Sequence, residues 1–158
     1  MYLRFKSKSA EDFGIKIISV GNLNVGGSGK TPLVTALAKE YSNAAIVLRG
    51  YGRESQGLYV VKDTKKILCD VKISGDEAMI YAKKLSNALV IVSEDRKKAI
   101  LQAKSMGAEI IFLDDAYSIH DIKKVDFLID VKSKNNSCLP AGPFRERLWK
   151  DKKAIVLK

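Results

Sequence analysis

Residues 16–32 read Lys16-Ile-Ile-Ser-Val-Gly-Asn-Leu-Asn-Val-Gly-Gly-Ser-Gly-Lys-Thr-Pro32, and the fold follows from how this stretch changes character along its length. Ile17, Ile18 and Val20 form a short β-branched run, the signature of a strand. The run enters a loop with Gly26, Gly27, Ser28 and Gly29, then Leu33, Val34, Leu37, Ala38 and Tyr41 repeat at helical spacing. A strand, a glycine-rich loop ending in Gly29-Lys30-Thr31 and a helix together make a phosphate-binding P-loop. Small residues let backbone N–H groups converge on phosphate oxygens, and the helix N-terminus adds partial positive charge. Lys30 is placed to reach the β- and γ-phosphates, and Thr31 to offer its hydroxyl to Mg²⁺. The usual pattern asks for glycine at position 24, where this chain has Asn24, the non-glycine residue type most tolerant of left-handed backbone. The alternative is a glycine-rich connection that binds nothing; the strand before it and the amphipathic helix after it argue against that. Pro32 falls in the first helical turn, where its missing N–H costs little.

Outward from the loop, apolar strands alternate with helical patterns. Ala44–Leu48 (AAIVL), Ala88–Val92, Glu109–Leu113, Phe127–Asp130 and Ala154–Leu157 read as strands, and residues 58–69 as a hairpin about the polar turn Asp63-Thr-Lys-Lys66 at the sheet edge. Helices are expected from Ser74-Gly-Asp-Glu77 onward and from Glu94 to Met106, the second capped by Ser93. The fold class is α/β: a P-loop NTPase-like, mostly parallel sheet with helices on both faces. Residues 1–15 read as a basic lead-in, either frayed or a short surface anchor, and residues 16–158 as one P-loop domain. The apolar run at the end of the sequence, with no helix to cover it, suggests a chain that ordinarily continues.

Five further places carry candidate chemistry. Arg49-Gly-Tyr-Gly-Arg53 follows a parallel strand at its carboxyl end, the side where such sheets bind ligands; a solvated turn is the plainer reading. Ser74 and Glu77 have capping-box spacing, which explains both structurally and leaves Asp76 over as a carboxylate able to accept a proton. The strand ending in Asp114-Asp115 has the Walker B pattern, whose aspartate holds Mg²⁺ directly or through water. Arg96 sits in a first helical turn, where the dipole disfavours a cation, and so hints at an anionic partner. His120, the single histidine, is read equally well as a site residue or a solvated one.

Composition sets the limits. With 158 residues, 46% of them hydrophobic, the chain suits one packed domain, and no stretch approaches a membrane span or a signal peptide, so a cytoplasmic location is expected. Cys69 and Cys138 have neither CxxC spacing nor partners in sequence and read as idle thiols. The formal charge of +10 calls for an anionic partner. No nucleic-acid module accompanies it, so no nucleic-acid partner is expected; attraction to a membrane surface stays open. The absence of an NKxD-type guanine motif argues against a GTP switch.

Taken in order, SVGNLNVGGSGKTP, LRGYGR, GDEA, EDR, FLDD and LPAGPFRE resemble the tetraacyldisaccharide 4'-kinases of lipid A synthesis over residues 17–147. The resemblance implies transfer of the ATP γ-phosphate to the 4'-hydroxyl of a lipid A disaccharide precursor, at the cytoplasmic face of the inner membrane. It implies ATP and Mg²⁺ as cofactors. Asn24, Val25, Gly26, Gly27, Ser28, Gly29, Lys30 and Thr31 would form the phosphate loop, and Asp76 would activate the sugar hydroxyl with Lys30 stabilising the developing charge. Thr31, Glu77, Asp114 and Asp115 would surround the metal, and Tyr51, Arg53, Arg96 and Glu146 would lie near substrate or nucleotide. The family's hydrophobic N-terminal helix has no counterpart here, its DDGFQH reads DDAYSIH with Ala116 for the glycine, and its second half is missing. The alternative is therefore a truncated or split P-loop half that binds ATP and Mg²⁺ without catalysing transfer.

Overall fold

The structure is a computed structural model and describes residues 9–22, 29–129 and 153–157. Its centre is a seven-stranded sheet built from β1 (Lys16–Asn22), β2 (Ala44–Leu48), β3 (Tyr59–Lys62), β4 (Leu89–Val92), β5 (Ile110–Asp114), β6 (Val125–Ile129) and β7 (Ala154–Leu157). The strand order is β3-β4-β2-β5-β1-β6-β7. Every pairing is parallel except β3 with β4. The helices are α1 (Lys30–Lys39), the single turn α2 (Val71–Ser74), α3 (Asp76–Lys84) and α4 (Arg96–Ser105).

The period-2 alternation of strand side chains divides the apolar residues into two cores. On one face Val20, Ile46, Val90 and Phe112 pack against Val34 and Ala38 of α1 and Ala78, Tyr81 and Ala82 of α3. On the other, Ile17, Val47, Ile91, Ile111 and Leu113 pack against Ala99, Ile100 and Ala103 of α4. Each large side chain so buried contributes about 1.5–3 kcal/mol. The strands β2, β4 and β5 are buried throughout, which is why they read as unbroken apolar runs.

Local chemistry moves several boundaries. The helix expected from Glu94 begins at Arg96 and is capped by Asp95, whose carboxylate accepts from the Lys97 and Lys98 N–H groups; Ser93 instead accepts from the Asp95 N–H. The capping box at Ser74 does not form. Ser74 ends α2 with its hydroxyl buried and donating to the Gly75 carbonyl, and Gly75 precedes α3 with no side-chain cap. Of the expected hairpin, β3 and the turn closed by the Asp63 carboxylate are present. The return arm makes a bridge from Lys62 to Ile67, while β3 forms its ladder with β4. The lead-in is tied down where it is described: Glu11 bridges Ile122, and Phe13 is a core residue at 7% exposure.

Candidate active site

The site lies beyond the carboxyl ends of β1, β2 and β5, where a parallel sheet directs its loops to one edge. Gly29 leads into α1 in the left-handed conformation at φ 78°, as the exit glycine of the loop requires. Lys30, the first residue of α1, lies 3.3 Å from Asp115 Oδ1. Asp115 has φ 52°, the one positive value at a non-glycine among the described residues, with its N–H bonded to the Val20 carbonyl across the strand ends. The ion pair therefore spans the loop exit and the end of β5.

Behind it stands a buried polar cluster. Asp114, the last residue of β5, is 3% exposed, and its Oδ2 accepts a 3.1 Å hydrogen bond from the hydroxyl of Tyr81. Thr31 lies against the same hydroxyl, close enough to influence its ionisation. Burial pushes the Asp114 carboxyl up to about 7, and the neighbouring Glu77 charge adds to this while Lys30 opposes it. Burial and Asp114 likewise push the Tyr81 phenol up, so it stays protonated and donates. The other oxygen, Asp114 Oδ1, is buried with no hydrogen-bond partner. A bare acceptor oxygen on a carboxylate near Glu77 fits a hard cation. Among the described residues no group of three or more His, Cys, Asp or Glu is arranged to hold a metal.

The start of α3 brings the remaining acids in. Asp76 and Glu77 occupy its first turn, where the helix dipole favours them, and both are exposed. The turn before them packs against the loop after β2, which carries Tyr51 at 88% exposure. Arg96 is 7% exposed at the start of α4, its Nη1 donating to the Ser93 carbonyl at 2.6 Å and its Nε unpartnered. Burial lowers its pKa to about 10, against the attraction of Asp114 and Asp115. This buried cation thus feels the acidic end of β5 while its one hydrogen bond described here goes to the Ser93 carbonyl.

Arg53 is placed differently from the expectation. Its side chain is 2% exposed and turned inward, donating to Ser55 Oγ at 3.0 Å, to the Gly57 carbonyl at 2.6 Å and to Glu94, with the guanidinium 5.8 Å from the Tyr59 ring centroid. It clamps the loop after β2 to the loop after β4. His120 is exposed in the segment after β5. Asn24, Val25, Gly26, Gly27, Ser28 and Glu146 lie outside the described residues. The residue that sequence reading missed is Tyr81. Its signal was its spacing of four from Glu77, which puts both on one face of α3.

Comparison with known proteins agrees with this geometry. The sequence model of the family described as Tetraacyldisaccharide-1-P 4'-kinase matches residues 2–157. The tetraacyldisaccharide 4'-kinase of Aliarcobacter butzleri is 53% identical over 98% of this chain and 49% of its own length. That of Helicobacter acinonychis is 45% identical over 97% and 50%. Among solved structures, LpxK from Aquifex aeolicus, described as an "apo" form in complex with ATP, superposes with a TM-score of 0.80 at 34% identity, covering 88% of this chain and 46% of that one. The chain spans about half the length of the relatives it matches. With the family's sequence pattern running from end to end and its fold reproduced in the sheet and helices around Lys30 and Asp114, the chain belongs to the tetraacyldisaccharide-1-P 4'-kinase family.

Proposed function

We propose that this chain supplies the nucleotide-binding and phosphoryl-transfer machinery of a lipid A 4'-kinase, which moves the ATP γ-phosphate to the 4'-hydroxyl of a tetraacyldisaccharide 1-phosphate. The observation that carries the proposal is the convergence of Lys30, Thr31, Glu77, Asp114 and Asp115 at one edge of the sheet, with Asp76 at the start of the helix that bears Glu77.

Phosphoryl transfer asks little covalent chemistry of the protein, so positioning and charge neutralisation carry the rate. Residues 24–29 are assigned to the phosphates by the family pattern, and the left-handed Gly29 at the exit supports that reading. Lys30 leaves its pairing with Asp115 to neutralise charge on the transferring group. Thr31, Glu77, Asp114 and Asp115 would hold Mg²⁺, which would supply positive charge to offset that of the phosphates. Asp76 accepts the proton of the attacking hydroxyl, its place in the first turn of α3 leaving it open to a substrate arriving from outside. Tyr51, exposed beside that turn, offers a ring and hydroxyl to the sugar; Arg96 and Glu146 complete the surroundings of nucleotide and substrate.

The lipid partner places the reaction at the cytoplasmic face of the inner membrane. No helix among the described residues is long and apolar enough to cross a bilayer, and the net charge of +10 supports peripheral attraction to anionic lipid. The test is transfer of labelled γ-phosphate from ATP to tetraacyldisaccharide 1-phosphate in detergent micelles with Mg²⁺. Labelled lipid above a Lys30→Ala control is the expected result; ATP binding with no transfer would leave only the nucleotide-binding part of the proposal standing.

A further inference from the structure

Tyr81 has no part in the sequence motifs, yet it is fully buried beneath them and its hydroxyl meets the acid at the end of β5. Three facts define its environment. It is one turn along α3 from Glu77, on the same face. Its hydroxyl donates to Asp114 Oδ2 at 3.1 Å while Asp114 Oδ1 is left buried and unpartnered. Thr31, from the first turn of α1, lies against the same hydroxyl. One phenol therefore touches the residues expected to hold the cation from both the P-loop helix and the Walker B strand, and it does so from the helix that carries the proposed base.

We propose that Tyr81 is the positioning residue of the cation site. By holding Oδ2 it fixes the rotation of the Asp114 carboxylate about its terminal bond, so that Oδ1 is the oxygen presented to the metal. A carboxylate without this bond has two equivalent oxygens and a broad terminal torsion. Outer hydrogen bonds of this kind orient ligands, and their loss typically weakens metal affinity about 10–100-fold. The same bond ties α3, and with it Asp76 and Glu77, to the end of β5. Phenylalanine would keep the packing of the ring and remove only the hydroxyl.

The inference rests on the nucleotide-and-metal reading of the site, and the experiment separates the two. ATP binding to the full 158-residue chain is measured by calorimetry in EDTA, and Mn²⁺ binding in the presence of ATP by electron paramagnetic resonance, for the wild type and Tyr81→Phe. The expected result is metal-free ATP affinity within about twofold of wild type, with Mn²⁺ affinity lowered about tenfold or more. Equal Mn²⁺ affinity in the two proteins overturns the proposal while leaving the nucleotide reading intact; a wild type that binds neither ATP nor Mn²⁺ overturns both. A Tyr81→Phe protein that does not fold also overturns the proposal, because the hydroxyl would then hold the fold rather than the cation site.

Discussion

A Cβ atom on Gly75 would stand 3.1 Å from the carbonyl oxygen of Tyr51. Gly75 also has φ 80°, in the region that L side chains rarely adopt. Glycine is thus what allows the turn before Asp76 and the loop bearing Tyr51 to touch, and this contact places the proposed base beside the proposed substrate residue. Gly75→Ala is expected to cost about 1–3 kcal/mol of stability and to lower phosphate transfer far more than ATP affinity. Urea unfolding with parallel calorimetry checks both; an unchanged midpoint would show that the backbone there relaxes freely.

Lys30→Ala removes the cation at the loop exit and leaves Asp115 without the ion pair described here. ATP affinity is expected to fall at least tenfold, since a charge-assisted contact to phosphate is worth about 1.5–3 kcal/mol. Equilibrium binding of ATP to the variant measures this, and retention of wild-type affinity would remove the P-loop assignment.

Asp76→Ala separates binding from chemistry. Asp76 is exposed in the first turn of α3, away from the buried Asp114 cluster. Nucleotide affinity should stay within about twofold, while phosphate transfer falls by 10² or more, the scale of a lost general base. Collapse of ATP affinity would instead make Asp76 a nucleotide or metal residue.

Asp114 makes the metal-free protein sensitive to pH. Its folded pKa is raised by burial and by Glu77, so the stability it contributes is full below the ordinary carboxylate range and is lost as the pH rises towards about 7. Asp114→Asn cannot titrate. The variant should therefore gain on the wild type between pH 5 and pH 8 in EDTA, and lose the stabilisation that Mg²⁺ with ATP gives the wild type. Urea midpoints at the two pH values measure the first effect, and a constant difference between the proteins would refute it.

Arg53 distinguishes framework from substrate contact. Its Nη1 and Nη2 groups donate to Ser55, Gly57 and Glu94, so Arg53→Ala should cost about 1–3 kcal/mol of stability by leaving polar groups of the two loops unpartnered. Arg53→Lys should recover little, because an ammonium lacks the planar fork that reaches several acceptors at once. Thermal unfolding is the measurement. Full stability in Arg53→Ala, with a raised KM for the lipid acceptor, would return the residue to the substrate.

How much of this was legible beforehand varies with the range of the interaction. The strand-loop-helix around Lys30, the buried strands β2, β4 and β5 and the acidic end of β5 were readable because each is dictated within a few residues: β-branched runs, a helical apolar stripe and a left-handed glycine are local facts. The N-cap of α4 is Asp95 and not the expected Ser93, since either residue type can accept a backbone N–H and only the path of the chain chooses. The capping box at Ser74 failed for the same reason, because α2 already held Ser74 in a helical turn and Gly75 began the next one.

The tertiary structure alone decided the roles that depend on distant partners. Arg53 and Arg96 look alike in sequence, each an arginine shortly after a parallel strand, but one meets Glu94, 41 residues away, and closes a clamp, while the other is buried towards Asp114 and Asp115. Tyr81 carried no signal beyond helical spacing, and its meaning comes from Asp114, 33 positions along the chain. The sequence determined the P-loop, the alternation of strands and helices and the family, because those are written in local pattern and motif order. The sheet order β3-β4-β2-β5-β1-β6-β7 determined which polar atoms are buried together, and that proximity raises the Asp114 carboxyl and leaves its Oδ1 without a hydrogen-bond partner.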